Sequence, residues 1–114
     1  MSIESSGPAW FRALSHARIV AGSPAEASAV CHDSRAVTAG AVFVAIPGFA
    51  TDGNRFIPDA VTRGAGAVIV QEDARSAWAP HAGGGPTFVA VPDARAALAE
   101  AASALAGYPA QTLG

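Results

Sequence analysis

Residues 41–46 read AVFVAI, residues 55–64 read RFIPDAVTRG and residues 66–70 read GAVIV. The two apolar runs are short, unbroken and rich in β-branched or aromatic side chains, the pattern of strands buried on both faces. Between them Phe56, Ala60 and Val61 fall on one side of a helix. Pro58 suits the first turn of that helix, and Gly64 suits a left-handed C-terminus. Strand, helix and strand in this order predict a βαβ unit and therefore a parallel pair.

Working outward, Thr87–Val91 (TFVAV) reads as a third buried strand. Asp93 can N-cap a helix over residues 94–106, with Leu98, Ala101, Ala102 and Leu105 toward the core and Gly107 and Pro109 ending it. On the N-terminal side Pro8–Ser15 reads as a short helix with Trp10, Phe11 and Leu14 on one side. Residues 18–21 and 27–32 read as short strands, antiparallel or at an edge, and residues 37–40 as a turn. Residues 71–86 are polar and then glycine-rich, which predicts an exposed loop. Trp78 within that loop is expected to be a contact point with another domain or subunit. The expected fold class is α/β: a single layered domain over residues 1–114, with a mixed, partly parallel sheet flanked by helices.

Composition narrows the function. The seven basic residues are all arginine, and there is no lysine. A Walker-type phosphate loop and Schiff-base chemistry both need a lysine, so this chain carries neither. A net charge of -2 argues against nucleic acid as a partner. The one cysteine, Cys31, cannot form an internal disulfide. No apolar run reaches the ~18 residues of a membrane span, and Met1–Ser6 lack the pattern of a secretion signal. A cytoplasmic protein with no membrane partner is the expectation.

The chemistry-bearing residues concentrate between Cys31 and Asn54. Asp33-Ser34-Arg35 stands at a strand end, and Gly48 and Gly53 bracket a loop ending Thr51-Asp52-Gly53. In open α/β sheets ligands sit beyond the carboxyl ends of strands, where both segments would lie. Glycines let backbone N–H groups approach an anion, and the helix beginning near Arg55 would add its positive end. A phosphate or diphosphate fits that chemistry, with Ser34 and Thr51 free to hydrogen-bond a base or ribose. Phe49 either covers core or offers a face on which a base stacks. Asp33 reads equally as a turn cap, Arg35 as its ion-pair partner and Asp52 as the cap of the next helix. His32 is the histidine closest to this cluster, whereas His16 and His81 read as surface. Cys31 and His32 are neighbours on a strand with no second pair, so no metal site is expected.

The joint spacing says more than its parts. Asp33-Ser34-Arg35, Gly40, Phe43-Val44-Ala45, Gly48, Asp52-Gly53, Phe56-Ile57, Ala60 and Gly64-Ala65 together resemble the N-terminal domain of the Mur ligases. The likeness continues through Val91-Pro92-Asp93-Ala94-Arg95 to Tyr108-Pro109. The C-terminal segment is more similar to the third-residue-adding members than to the D-alanyl-D-alanine-adding ones. The resemblance implies an ATP-dependent, amide-forming ligase that adds a diamino acid to UDP-N-acetylmuramoyl-L-alanyl-D-glutamate in peptidoglycan synthesis. It also implies that ATP and magnesium are held by a central domain, whose lysine-bearing phosphate loop follows the equivalent of Leu113-Gly114. The remaining ligase domains would be partners within the same polypeptide, so residues 1–114 alone would hold substrate without catalysing, with no catalytic residue, metal or cofactor of their own. Carried residue by residue, His32 and Ser34 match positions flanking the uridine. Phe49, Ala50 and Thr51 match the loop touching it and the diphosphate. Asp33, Arg35, Gly48, Asp52 and Gly53 would shape the turns. At Phe49 and Ala50 the sequence departs from polar relatives, which leaves backbone or stacking contacts there. Two other readings stand beside this one: the D-alanyl-D-alanine-adding relative, and a free-standing nucleotide-sugar binding module.

Overall fold

The computed structural model describes residues 7–48 and 52–106. Their order is α1 (Ala9–Arg12), β1 (Arg18–Ala21), β2 (Val30–Cys31), β3 (Val42–Val44), α2 (Ile57–Thr62), β4 (Ala67–Gln71), α3 (Arg75–Trp78), β5 (Thr87–Val91) and α4 (Ala94–Ala106). One sheet of five strands runs β1-β5-β4-β3-β2. The four strands from β2 to β5 are mutually parallel, and β1 is antiparallel to β5. The α/β layered fold is therefore as the apolar runs predict, including the β3–α2–β4 unit.

Alternation along the central strands sends their side chains to two cores. Phe43, Val68, Val70, Phe88 and Ala90 pack with Ile57, Ala60 and Trp78 beneath α2 and α3. Val42, Val44, Ile69, Val89 and Val91 pack with Trp10, Leu14, Ala94, Ala97 and Ala101 beneath α1 and α4. Because both faces are covered, β3, β4 and β5 need no polar side, which is why they read as unbroken apolar runs. The two helical layers meet the sheet from opposite sides, so the carboxyl edge of β2 and β3 lies between α2 and α4.

Several expectations need correction. The predicted strand 27–32 pairs only at Val30 and Cys31, and 41–46 only over Val42–Val44. The predicted helix 55–64 begins with a one-turn 3-10 helix at Gly53–Phe56, and the α-helix proper starts at Ile57. That offset rotates Phe56 outward, to 38% exposed, and makes Ile57 the core residue instead. Gly64 does end the helix with φ of +100°. On α4 the buried line is Ala94, Ala97 and Ala101, while Ala102 is exposed.

The largest departure is residues 71–86. They hold α3 and two further 3-10 turns, Glu72–Ala74 and Ala79–His81. Trp78 is fully buried in the α2/α3 core, not presented to a partner. Its indole N–H donates to the Gln71 carbonyl at 2.8 Å, which satisfies its one polar atom. Arg75 lies over the indole ring, 5.2 Å from its centroid.

Candidate functional site

Asp33 follows β2 in extended conformation and caps the one-turn 3-10 helix Ser34–Ala36. Its Oδ1 accepts from the Arg35 backbone N–H at 2.9 Å and from Arg35 Nε at 3.1 Å, while Oδ2 accepts from Nη2 at 2.8 Å. These bonds favour the ionised carboxylate. The Arg35 side-chain hydrogen bond, then its backbone N–H, hold Asp33 well below the usual carboxylate range, at about 2. Asp33 and Arg35 therefore close a rigid turn on each other. That turn drives Ser34 inward, to 5% exposed, where it faces Asp59 on α2. The Ser34 hydroxyl, and after it the Arg63 guanidinium, lower the Asp59 pKa.

The second turn repeats the device. Asp52 caps Gly53–Phe56, and its Oδ1 accepts from the Asn54 backbone N–H at 3.0 Å and from Asn54 Nδ2 at 2.8 Å. The Gly53 N–H donates to the Ile46 carbonyl at 2.9 Å, which ties the turn to the end of β3. A Cβ on Gly53 would stand 2.6 Å from the Ile46 nitrogen, so only glycine lets the turn sit this close. Asn54 is 2% exposed, and its Oδ1 is the one buried side-chain polar atom without a partner among the described residues.

Between the two turns lies a groove of about 940 Å³, within the range of small-molecule sites. His32, Asp33, Ser34, Arg35, Gly48 and Gly53 line it, as do Ile46, Pro47, Phe56, Asp59, Arg95 and Leu98. The first six were singled out in the sequence. Phe49, Ala50 and Thr51 lie outside the described residues. Asp52 does not line the groove but caps the turn beneath it, the role expected of it. Cys31, half-buried, has its thiol pKa pushed up by burial and then by Asp33, which makes it a poor nucleophile.

Part of the chemical expectation changes, within the described residues. The turns were expected to offer free backbone N–H groups and a helix end to an anion. Instead the N–H groups of Arg35, Ala36 and Val37, and those of Gly53, Asn54 and Arg55, all have acceptors within the protein. The helix after the second turn is only six residues long. Among the described residues, the polar side chains on the groove wall outside the ion pairs are the Ser34 hydroxyl, the His32 imidazole and the Arg95 guanidinium. Phe56, Asp59, Arg95 and Leu98 were not read as site residues from the sequence. Only the folding of α2 and α4 onto opposite faces brings them to this edge, although Asp93-Ala94-Arg95 does sit in the segment that resembles the family.

The chain is also similar in sequence to known proteins. Residues 26–106 match the family model described as "Mur ligase family, catalytic domain". The chain is similar to the UDP-N-acetylmuramyl-tripeptide synthetase of Roseiflexus sp. (strain RS-1), 46% identical over 84 residues, covering 74% of this chain and 16% of that protein. It is similar to the UDP-N-acetylmuramoyl-L-alanyl-D-glutamate--2,6-diaminopimelate ligase of Clostridioides difficile (strain 630), 42% identical over 82 residues, covering 72% of this chain and 16% of the relative. The enzyme of that same name from Chlorobaculum tepidum is 43% identical over 95 residues, 83% of this chain and 18% of its own length. The chain thus spans about a sixth of the length of these curated relatives. With most of its residues inside the family model, the chain belongs to the Mur ligase family.

Proposed function

We propose that the groove holds the UDP end of UDP-N-acetylmuramoyl-L-alanyl-D-glutamate, and that residues 1–114 act as the substrate-holding domain of an ATP-dependent ligase. That ligase would add a diamino acid as third residue of the peptidoglycan stem, in the cytoplasm. The observation that carries the reading is the convergence of the Asp33-Ser34-Arg35 and Asp52-Gly53 turns on one groove at the carboxyl edge of β2 and β3, in a chain so similar to tripeptide-forming relatives.

In this proposal His32 and Ser34 flank the uridine, and Phe49, Ala50 and Thr51 contact the nucleotide from the intervening loop. Asp33, Arg35, Gly48, Asp52 and Gly53 keep the groove's shape. The sequence offers the outer phosphates of ATP no lysine. Among the described residues no three His, Cys, Asp or Glu side chains gather where a metal ion could be held. In this proposal ATP and magnesium are held by other domains of the ligase, and these 114 residues serve binding and orientation.

The test is to supply the protein with UDP-N-acetylmuramoyl-L-alanyl-D-glutamate, ATP and magnesium, together with lysine or diaminopimelate. A parallel reaction uses the UDP-linked tripeptide and D-alanyl-D-alanine. Full-length protein should form the UDP-linked tripeptide, and residues 1–114 alone should bind nucleotide and form none. Product only in the D-alanyl-D-alanine reaction would replace this reading with the neighbouring ligase. Nucleotide binding with no ligation by the full-length protein would make it a free-standing binding module.

A further inference from the structure

Six of the seven arginines are engaged within the described residues. Arg12 donates to the Gly7 carbonyl. Arg18, Arg35 and Arg63 pair with Glu72, Asp33 and Asp59. Arg55 and Arg75 lie over Phe56 and Trp78. Arg95 alone has no side-chain partner among the described residues, and it is exposed on the groove wall. The other charges of the groove are compensated: Asp33 by Arg35, and Asp59 by Arg63.

The end of α4 does not compete for this role. The Ala94 N–H donates to Gln71 Oε1 at 2.9 Å, those of Arg95 and Ala96 to Asp93 Oδ1 at 3.0 and 3.3 Å, and that of Ala97 to the Asp93 carbonyl at 3.0 Å. With those donors taken, an anion in the groove would meet the guanidinium and not the helix backbone. A planar guanidinium fork matches phosphate oxygens with two parallel hydrogen bonds.

We infer that Arg95 is a diphosphate-recognising residue of the groove, whose lining it shares with the turn that carries Ser34. The inference rests on the reading of the groove as a nucleotide site and names the group that distinguishes a nucleoside diphosphate from a nucleoside there.

Calorimetric titration of the parent protein, Arg95→Ala and Arg95→Lys with UDP and with uridine tests it, each at low and high salt. The parent should bind UDP more tightly than uridine, by a margin that shrinks with salt. Arg95→Ala should lose about tenfold or more in UDP affinity, the scale of a charge-assisted hydrogen bond, and leave uridine affinity unchanged. Arg95→Lys should recover part of the loss, since the charge remains and the fork does not. An Arg95→Ala protein that binds UDP within twofold of the parent, or that loses UDP and uridine equally, would overturn the inference and leave the groove reading standing. A parent that binds neither would remove both.

Discussion

Replacing Gly53 by alanine should uncouple the second turn from the sheet. A Cβ there would stand 2.6 Å from the Ile46 nitrogen, 2.9 Å from its carbonyl oxygen and 3.2 Å from the Ala45 carbonyl carbon. All three are backbone atoms of the two residues that follow β3, Ala45 fully buried and Ile46 partly so, and not the ends of flexible side chains. Relief requires the turn to move outward by roughly 0.8 Å, enough to strain the 2.9 Å bond from the Gly53 N–H to the Ile46 carbonyl. Overpacking costs about 1–3 kcal/mol and a lost net hydrogen bond about 0.5–1.5 kcal/mol, so the expected destabilisation is about 2–4 kcal/mol. In urea this lowers the unfolding midpoint by roughly 2 M, and in a thermal scan Tm falls by roughly 10–15 °C. Gly66→Ala is the control. Its added Cβ would meet nothing nearer than 3.5 Å, so the change should fall within about 1 kcal/mol of the parent, on either side. A Gly53→Ala protein within about 0.5 kcal/mol of the parent would refute the claim that this turn is pinned against the strand.

Other outcomes follow from the same geometry. Ser34→Ala should weaken UDP binding by about 0.5–1.5 kcal/mol, up to roughly tenfold, and calorimetry showing unchanged affinity would remove Ser34 from the site. Trp78→Ala should cost about 3–5 kcal/mol in chemical denaturation, because it empties a core position and leaves the Gln71 carbonyl without its indole donor. An unchanged unfolding midpoint would show that α3 does not belong to the core. Asp33 should titrate at about 2 by carboxyl NMR, and Arg35→Ala should return it toward 3.8. Because the folded pKa is the lower one, the stability this carboxylate contributes is present above pH 4 and is lost as pH falls from about 3.8 to about 2. Arg35→Ala should reduce that part of the acid dependence without abolishing it, since the backbone N–H of residue 35 still donates to Asp33.

Residues that depend on local pattern were legible, and residues that depend on meeting a distant partner were not. The strand Arg18–Ala21, the strand Thr87–Val91 and the helix Ala94–Ala106 have the bounds expected of them, since each carries its own apolar run or cap. The caps at Asp33 and Asp52 and the Asp33–Arg35 ion pair were also legible, because an Asx cap needs only the next two residues. Trp78 was misread because its neighbours are small, polar or glycine. Its burial comes from a fold-back onto the Phe43 and Ile57 face that no short-range period records. Phe56 and Ile57 exchanged roles because a 3-10 turn delays the α-helix by two residues, and a 3.6-residue pattern has no means of showing that. Gln71 is the clearest case of the second kind. Its carbonyl takes the Trp78 indole, its Oε1 takes the Ala94 N–H and its Nε2 donates to Asp73, so one residue at the end of β4 fastens both helical layers. Arg95 reached the candidate site for the same reason, through topology and not through motif.

In the proposed function, the groove between the two aspartate-capped turns receives the UDP end of a nucleotide substrate. Titration of the ¹⁵N-labelled protein with UDP, followed residue by residue in the amide spectrum, tests it most directly. Saturable shifts are expected at His32, Ser34, Gly48, Gly53 and Arg95, with the β1 edge at Arg18–Ala21 unmoved. Shifts confined to the β1 edge, or a spectrum indifferent to millimolar UDP, would contradict it.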